Sequence, residues 1–377
     1  MAILEAGGYA EAARRAMLGL ERAGVPVTFT PLVKGGGLGL TLEPYRGRAI
    51  ADPELAPLCN RPIDYDTVIL HAPPELFPPL AATERGKRLI GVTAWETDRL
   101  PDRWRLWLQA VDRIIVPCRW NREVVEAAGV DRPVYALPHI CPEDSAGARP
   151  PLELGPEGSF VFYSVGAWSS RKGMDHLVRA YLAAFSGDEP VQLAIKTSHR
   201  DLTWVTPLGS PWPTRWSVAA LRRQSGSRAA IRLLTEPFSA AQMKALHARG
   251  DCYVSLPHGE GWGLGGFDAA AAGKPVVTTG FGGPLEFLGR DYPYLVDYRL
   301  GPARAKGEER RIFSPDQNWA IPDEADAAAK LRRIYADPAA ARAVARGMRT
   351  RIRSDYSESR VTAELLRIVA AAREETP

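Results

Sequence analysis

The chain has 377 residues, 45% hydrophobic and 24% charged, a composition that excludes an intrinsically disordered protein. A net charge of +4 is too small a surplus to argue for nucleic acid as a partner, and no run of about 18 apolar residues marks a membrane span. At roughly 150 residues per domain, the length favours two domains. The 34 glycines and 32 prolines announce many tight turns. Cys59, Cys118, Cys141 and Cys252 form no Cys-x-x-Cys pair, so they read as reduced thiols of a cytoplasmic protein, with neither a zinc site nor a disulfide framework. The N-terminus lacks the basic and apolar regions of a signal peptide.

In chain order, strands are predicted at Ala2–Glu5, Val25–Thr30, Thr67–His71, Leu89–Thr93, Arg113–Val116 and Val134–Leu137. A loop rich in Pro, Gly and acids follows, from Cys141 to Gly158. The alternation restarts with Phe160–Val165, Val191–Lys196, Ile231–Leu234, Cys252–Leu256 and Val276–Thr278. Val/Ile/Leu/Phe runs without polar alternation suit parallel strands covered on both faces. Helical patterns lie between them. The one after Gly173 puts Leu177, Val178, Tyr181, Leu182 and Phe185 on one face. Ser239-x-x-Gln242 reads as a capping box, with Phe238 and Met243 as its hydrophobic staple. Leu264–Ala272 stops at Gly273-Lys274-Pro275, and Val361, Leu365, Leu366 and Val369 form a last apolar stripe. Two βα-alternating halves joined by one linker predict an α/β protein of two doubly wound, Rossmann-like domains, with ligands at the carboxyl ends of strands. The expected boundaries are 1–145 and 146–355, with 356–377 a C-terminal helix that packs back on the first domain.

The richest stretch runs from Asp251 to Leu288. A strand ends at Leu256-Pro257, a loop with glycines at 259, 261, 263, 265 and 266 carries Glu260, and a helix begins near Leu264. Glycines let a backbone approach a ligand closely, and a helix N-terminus offers free N–H groups to a phosphate. Asp268 lies one turn into the helix, separated from Glu260 by seven residues.

This stretch resembles the Glu-x7-Glu signature of retaining GT-B glycosyltransferases of family 4 (glycosyl transferases group 1), with Asp268 as the second acid. Glu260-Gly261-Trp262-Gly263 stands for the usual Glu-Gly-Phe-Gly, and residues 272–277 match the Ala-Gly-Lys-Pro-Val-Val that follows. Val165–Gly173 is similar to the family's strand and loop with Arg-Lys-Gly before a helix. Ala167 occupies the place of an arginine, and Arg171 or Lys196 is expected to compensate. In the N-terminal half, Gly7-Gly8-Tyr9 resembles the first βα loop. Trp95-Glu96-Thr97-Asp98 resembles a subset with Glu-Thr-Asp at this strand end. Asp112–Asn121 and Leu137-Pro138-His139 also echo the family, with His139 read as structural.

The resemblance implies two domains facing a central cleft, the donor on the C-terminal one and the acceptor on the N-terminal one. It assigns Lys172, with Arg171, to the leaving diphosphate and Glu260 to the sugar hydroxyls. Asp268 falls to the ribose, and Gly263, Leu264 and Gly265 to presenting backbone amides. Lys196, Gly7, Gly8 and Glu96 are further substrate-binding candidates; a salt bridge to a nearby arginine is the other reading of Glu96. The implied reaction moves a hexosyl group with retention and no metal ion. No cofactor is implied beyond a UDP- or GDP-linked sugar as co-substrate, and the acceptor is a small molecule, a glycan or a lipid-linked molecule. Nucleic acid is not an expected partner, and peripheral membrane contact stays open. The alternatives are a sugar-nucleotide- or phosphate-binding protein without transferase activity, and a related synthase or phosphorylase.

Other signals are set aside. Lys34–Leu40 breaks the G-x-G-x-x-G spacing, and Asp64-Tyr65-Asp66 precedes a strand instead of ending one, so it reads as a turn. Gly273-Lys274 is followed by proline, so it is no P-loop, and neither His-Glu-x-x-His nor Gly-x-Ser-x-Gly occurs. Trp104–Leu108 reads as helix core.

Overall fold

The computed structural model describes residues 1–3, 7–34, 42–142, 150–205 and 211–374. Leu4 and Glu5 of the first predicted strand, the glycine run at 35–40 and residues 143–149 of the predicted linker lie outside them. The chain falls into two compact units. Unit 1 comprises Met1–Trp95, Arg99–Pro142 and Ser354–Pro377, and unit 2 comprises Glu96–Asp98 and Glu143–Arg353.

Among the described residues, unit 1 is built on a seven-stranded sheet. Its strands are β1 (Ala2–Ile3), β2 (Pro31–Lys34), β3 (Leu42–Pro44), β4 (Thr67–His71), β5 (Arg88–Val92), β6 (Arg113–Val116) and β7 (Val134–Ala136). They stand in the order β3-β2-β1-β4-β5-β6-β7, and only the edge pair β2–β3 is antiparallel. Ile90, Ile114 and Ile115 are fully buried, as strands covered on both faces require. The strand predicted at Val25–Thr30 is displaced: the ladder with β1 starts at Pro31, and Phe29 makes only an isolated bridge to Cys59. Pro26 has no N–H to give a ladder, and Val25 and Val27 pack instead against the core that contains Leu20 and Ile140. The helix Glu358–Glu374 closes that core with Val361, Leu365 and Ile368. Trp104 and Leu108, on the helix Asp102–Leu108, are buried.

Unit 2 carries an all-parallel sheet of β8 (Phe160–Val165), β9 (Val191–Lys196), β12 (Ala230–Leu234), β13 (Cys252–Ser255), β14 (Val276–Thr279) and β15 (Leu295–Val296), in the order β12-β9-β8-β13-β14-β15. Two antiparallel pairs that the sequence patterns do not announce are added: β10 (Arg200–Val205) with β11 (Pro211–Pro213), and β16 (Tyr298–Pro302) with β17 (Asn318–Pro322). The capping box at Ser239 is reciprocal: the Ser239 amide donates to Gln242 Oε1 at 2.8 Å, and the Gln242 amide to Ser239 Oγ at 3.2 Å. The chain leaves β8 toward β9 on one side and returns to β13 on the other. In an open parallel sheet such a reversal leaves a crevice at the strands' carboxyl ends. It sets the loop after β8 beside the loop after β13.

Candidate active site

Two loops and one short strap build this site, all within unit 2. The loop after β8 ends at Gly173, the N-cap of the helix Met174–Ala184. Gly173 has φ +56°, and a Cβ there would stand 2.0 Å from the Leu256 carbonyl oxygen. Only glycine meets both demands, so Lys172 is locked beside the loop after β13. That loop carries His258, Gly259 and Glu260, and Gly263 then caps the helix Leu264–Ala271. The strap Glu96–Asp98 presses against it, and a Cβ on Gly259 would lie 1.7 Å from the Glu96 carbonyl oxygen. Asp98 fixes the strap from its far end, accepting from the Asn318 amide at 2.6 Å and from Asn318 Nδ2 at 2.9 Å.

Charge converges on Glu260. Lys172 Nζ donates to Glu260 Oε1, while Arg171 Nη1 donates to Glu260 Oε2 at 3.2 Å and to the Gly259 carbonyl at 2.9 Å. Arg171 Nη2 stands 3.7 Å from Glu96 Oε1, and the Arg171 amide donates to Glu309 Oε2 at 3.0 Å. Burial opposes the Glu260 charge, yet Lys172 and Arg171 outweigh it and hold that carboxyl below the ordinary carboxylate range. Burial pushes the Glu96 carboxyl up, and its looser pairing with Arg171 does not compensate, because Glu260 and Glu309 lie close as well. Burial likewise works against the Arg171 cation, but Glu96, Glu260 and Glu309 raise its pKa above the usual arginine value.

The structure therefore unites Arg171, Lys172, Glu260 and Glu96, and it shows the Glu96–Arg171 salt bridge. Of the two stand-ins for the arginine missing at Ala167, Arg171 is the one placed on Glu260. Lys196 turns elsewhere: its ammonium donates to the Thr197 carbonyl at 2.9 Å and sits 5.2 Å above the Phe238 ring, where burial lowers its pKa. Gly263, Leu264 and Gly265 form the first turn of their helix, whose leading amides have no intrahelical acceptor. Gly265 also packs closely on the Tyr253 ring. Asp268 lies half-buried on the same helix, and its charge contributes to raising the pKa values of Tyr163 and Tyr253, after burial. Gly7 and Gly8 belong to unit 1, where they are exposed at the start of the helix Gly8–Arg22.

Two site residues escape sequence reasoning. Glu309 comes from the short turn of helix Gly307–Arg311, with no motif around it and more than a hundred residues separating it from Arg171. His258 directly precedes Gly259-Glu260, so its place in the motif could have drawn attention to it. Its amide donates to the Arg171 carbonyl at 2.7 Å, and its carbonyl accepts from the Ala320 amide at 2.8 Å, stitching the two loops to β17. Its ring packs on Trp319 at 4.3 Å and meets His176 edge-on at 5.0 Å. Burial, helped by His176, lowers its pKa to about 4, so the ring is neutral near pH 7. Among the described residues, no group of three or more His, Cys, Asp or Glu is placed to hold a metal ion. No described helix is long and apolar enough to cross a membrane.

A basic loop before one helix, facing a glycine-rich acidic loop before another on a doubly wound sheet, agrees with the class the comparisons give: the GT-B glycosyltransferases of family 4. A model of the family described as "Family 4 Glycosyltransferase in conflict systems" matches residues 118–365, well over half of the chain, and the chain belongs to that family. It is 33% identical to the glycogen synthase of Mycobacterium tuberculosis (strain CDC 1551 / Oshkosh) over 132 residues, 35% of this chain and 27% of that protein. It is 28% identical to the D-inositol 3-phosphate glycosyltransferase of Actinosynnema mirum over 266 residues, 71% of this chain and 53% of that protein. The match thus spans about a quarter to a half of the length of these curated relatives. Among solved structures, the sucrose-phosphate synthase from Thermosynechococcus elongatus shares the fold with a TM-score of 0.67 at 15% identity, covering 100% of this chain and 96% of that one.

Proposed function

We propose that the chain is a retaining glycosyltransferase that moves a hexosyl group from a UDP- or GDP-linked donor to a small-molecule, glycan or lipid-linked acceptor. The observation that carries this reading is the convergence of Lys172 and Arg171 on Glu260 at the mouth of two helix N-termini. The two cations pair with carboxylates. A bound diphosphate offers them a stronger anion, and the exchange releases Glu260 to accept from the sugar hydroxyls. As the bond from the anomeric carbon to the diphosphate oxygen breaks, Lys172 and Arg171 neutralise the charge that develops there, in the role a metal ion would otherwise fill. The acceptor hydroxyl attacks on the same face, and its proton passes to the departing phosphate oxygen. The amides of Leu264 and Gly265 reach toward the phosphates, and Asp268 toward the ribose. Glu96 holds Arg171 in place, Lys196 flanks the donor site, and Gly7 and Gly8 serve the acceptor side.

Family membership and the D-inositol 3-phosphate glycosyltransferase relative support transfer; the glycogen synthase relative is why polymeric glycans belong among the acceptors to be tried. The test is release of nucleoside diphosphate from UDP- and GDP-sugars, with and without candidate acceptors and with a chelator present. Release from one donor class, undiminished by the chelator, is expected, and NMR of the product should show the donor's anomeric configuration kept. A chain that is stabilised by nucleotide yet hydrolyses and transfers nothing would be a binding protein instead. Turnover that depends on orthophosphate would mark a phosphorylase.

A further inference from the structure

Unit 2 leaves three tryptophans exposed on neighbouring elements: Trp204 on β10 at 59%, Trp212 on β11 at 37%, and Trp216 on the helix Thr214–Ser225 at 46%. Trp212 and Trp216 meet edge-to-face at 4.8 Å. Two of the rings carry a cation: Arg215 lies 5.5 Å from the Trp216 ring centre, and Lys306 lies 5.8 Å from that of Trp204. Arg200, Arg223 and Arg310 add exposed positive charge on these and the adjoining elements. The one acid in the sequence of β10, β11 and this helix, Asp201, is buried and accepts from the Thr203 amide and from Ser217 Oγ. Glu309, on the adjoining turn, is turned toward the Arg171 amide.

This surface is firmly anchored. The Leu202 amide donates to the Trp168 carbonyl at 2.8 Å, and the Lys306 amide to Ser170 Oγ at 2.8 Å. Large amphipathic rings bordered by arginine and lysine match one environment especially well, the interface of a bilayer, where the rings sit at headgroup level and the cations reach phosphates. A single nucleic-acid strand needs successive open ring faces. Here cations overlie the rings of Trp216 and Trp204, and Trp212 and Trp216 meet edge-to-face instead of stacking in parallel. We propose that the β10–β11 pair and the start of the helix Thr214–Ser225 dock the protein onto anionic lipid surfaces, with Trp204, Trp212 and Trp216 as anchors and Arg215 and Lys306 as headgroup contacts.

The inference stands apart from the transfer reaction, and its test reads no turnover. The full chain is floated with vesicles of phosphatidylcholine alone and with vesicles in which about a third is phosphatidylglycerol. The anionic vesicles are expected to bind it at least roughly tenfold more tightly, with binding that weakens as salt rises. The triple variant W204A/W212A/W216A should lose roughly tenfold in binding with an unchanged melting midpoint, while R215Q/K306Q should flatten the salt dependence. Lipids brominated near the headgroup should quench the wild-type tryptophan emission, and less so in Trp204→Ala. That comparison decides the matter even if the triple variant does not fold. Wild-type protein that ignores anionic vesicles, a folded triple variant that binds like wild type, or tighter binding to an oligothymidine than to the vesicles would overturn the proposal.

Discussion

The two doubly wound sheets reverse their strand order in the same manner, but the side chains at the two reversals differ in kind. In unit 2 the loops after β8 and β13, with the strap and the turn Gly307–Arg311, bring together two cations and three carboxylates within a few ångströms. In unit 1 the reversal lies between β1 and β4, and among the described residues the groups beside it include hydroxyls and imidazoles. Tyr9 Oη pairs with Thr93 Oγ1 at 3.0 Å, and the Tyr9 ring meets His71, the last residue of β4, edge-on. Burial, joined by the N-terminal ammonium, lowers the His71 pKa to about 3; burial, joined by His71 and Arg15, does the same to His139. One architecture thus hosts an ionic centre in unit 2 and, among the described residues of unit 1, a centre lined by hydroxyls and imidazoles. The strand order supplies the place, and loop side chains choose the chemistry.

If the ionic centre alone handles the leaving group, charge removal there should have the largest effect. Lys172→Ala and Glu260→Ala are each expected to lower donor turnover at least tenfold, toward the ~10²–10³ typical of losing one such stabilising contact. Near-normal turnover in both variants would break the contrast between the two centres. Acid should expose the unit 1 centre next. An unfolded histidine titrates near its ordinary value of about 6.5, whereas folded His71 and His139 titrate at about 3. The unfolded state therefore binds more protons across that window. Stability is full above pH ~6.5 and drains as pH falls toward ~3, by about 2 kcal/mol per histidine between pH 7 and 5. Urea titrations at those two pH values should show the loss, and His71→Gln should flatten it; an unchanged slope would mean that the ring protonates in the folded state. The smallest effect belongs to Glu309→Gln. It keeps an acceptor for the Arg171 amide while removing one negative charge near Arg171, so turnover should shift only a few-fold. A collapse as deep as that of Lys172→Ala would promote Glu309 from support to participant.

Much of this was readable along the chain. β8 and β9 lie where the sequence predicts them, because strands covered on both faces are dominated by bulky apolar residues with few polar ones. Arg171, Lys172 and Glu260 were legible because each sits in a local pattern of glycines and a helix start. Val25–Thr30 misled because β-branched residues that pack a core look the same as those that join a ladder. The pairs β10–β11 and β16–β17 stayed hidden because β10 mixes polar and apolar residues, and β11, β16 and β17 are short and carry proline or glycine. Glu309 stayed hidden because only the folded backbone carries it to the Arg171 amide. The Glu96 salt bridge, one of two readings open from sequence, needed the same long-range closure to be chosen.

The strap Glu96–Asp98 has a consequence for how such a protein is made and reshuffled. Its neighbours Trp95 and Arg99 remain with unit 1, where the Trp95 indole donates to the Arg99 carbonyl at 2.8 Å. Unit 1 in turn waits for Glu358–Glu374 to complete its core. Neither unit is therefore a contiguous stretch of gene. During synthesis, residues made for unit 2 emerge long before the rest of it, and unit 1 is finished last. A recombination event that swaps residues 143–353 between relatives would import Arg171 without the Glu96 that pairs with it here. Exchange of whole units is thus constrained by three residues.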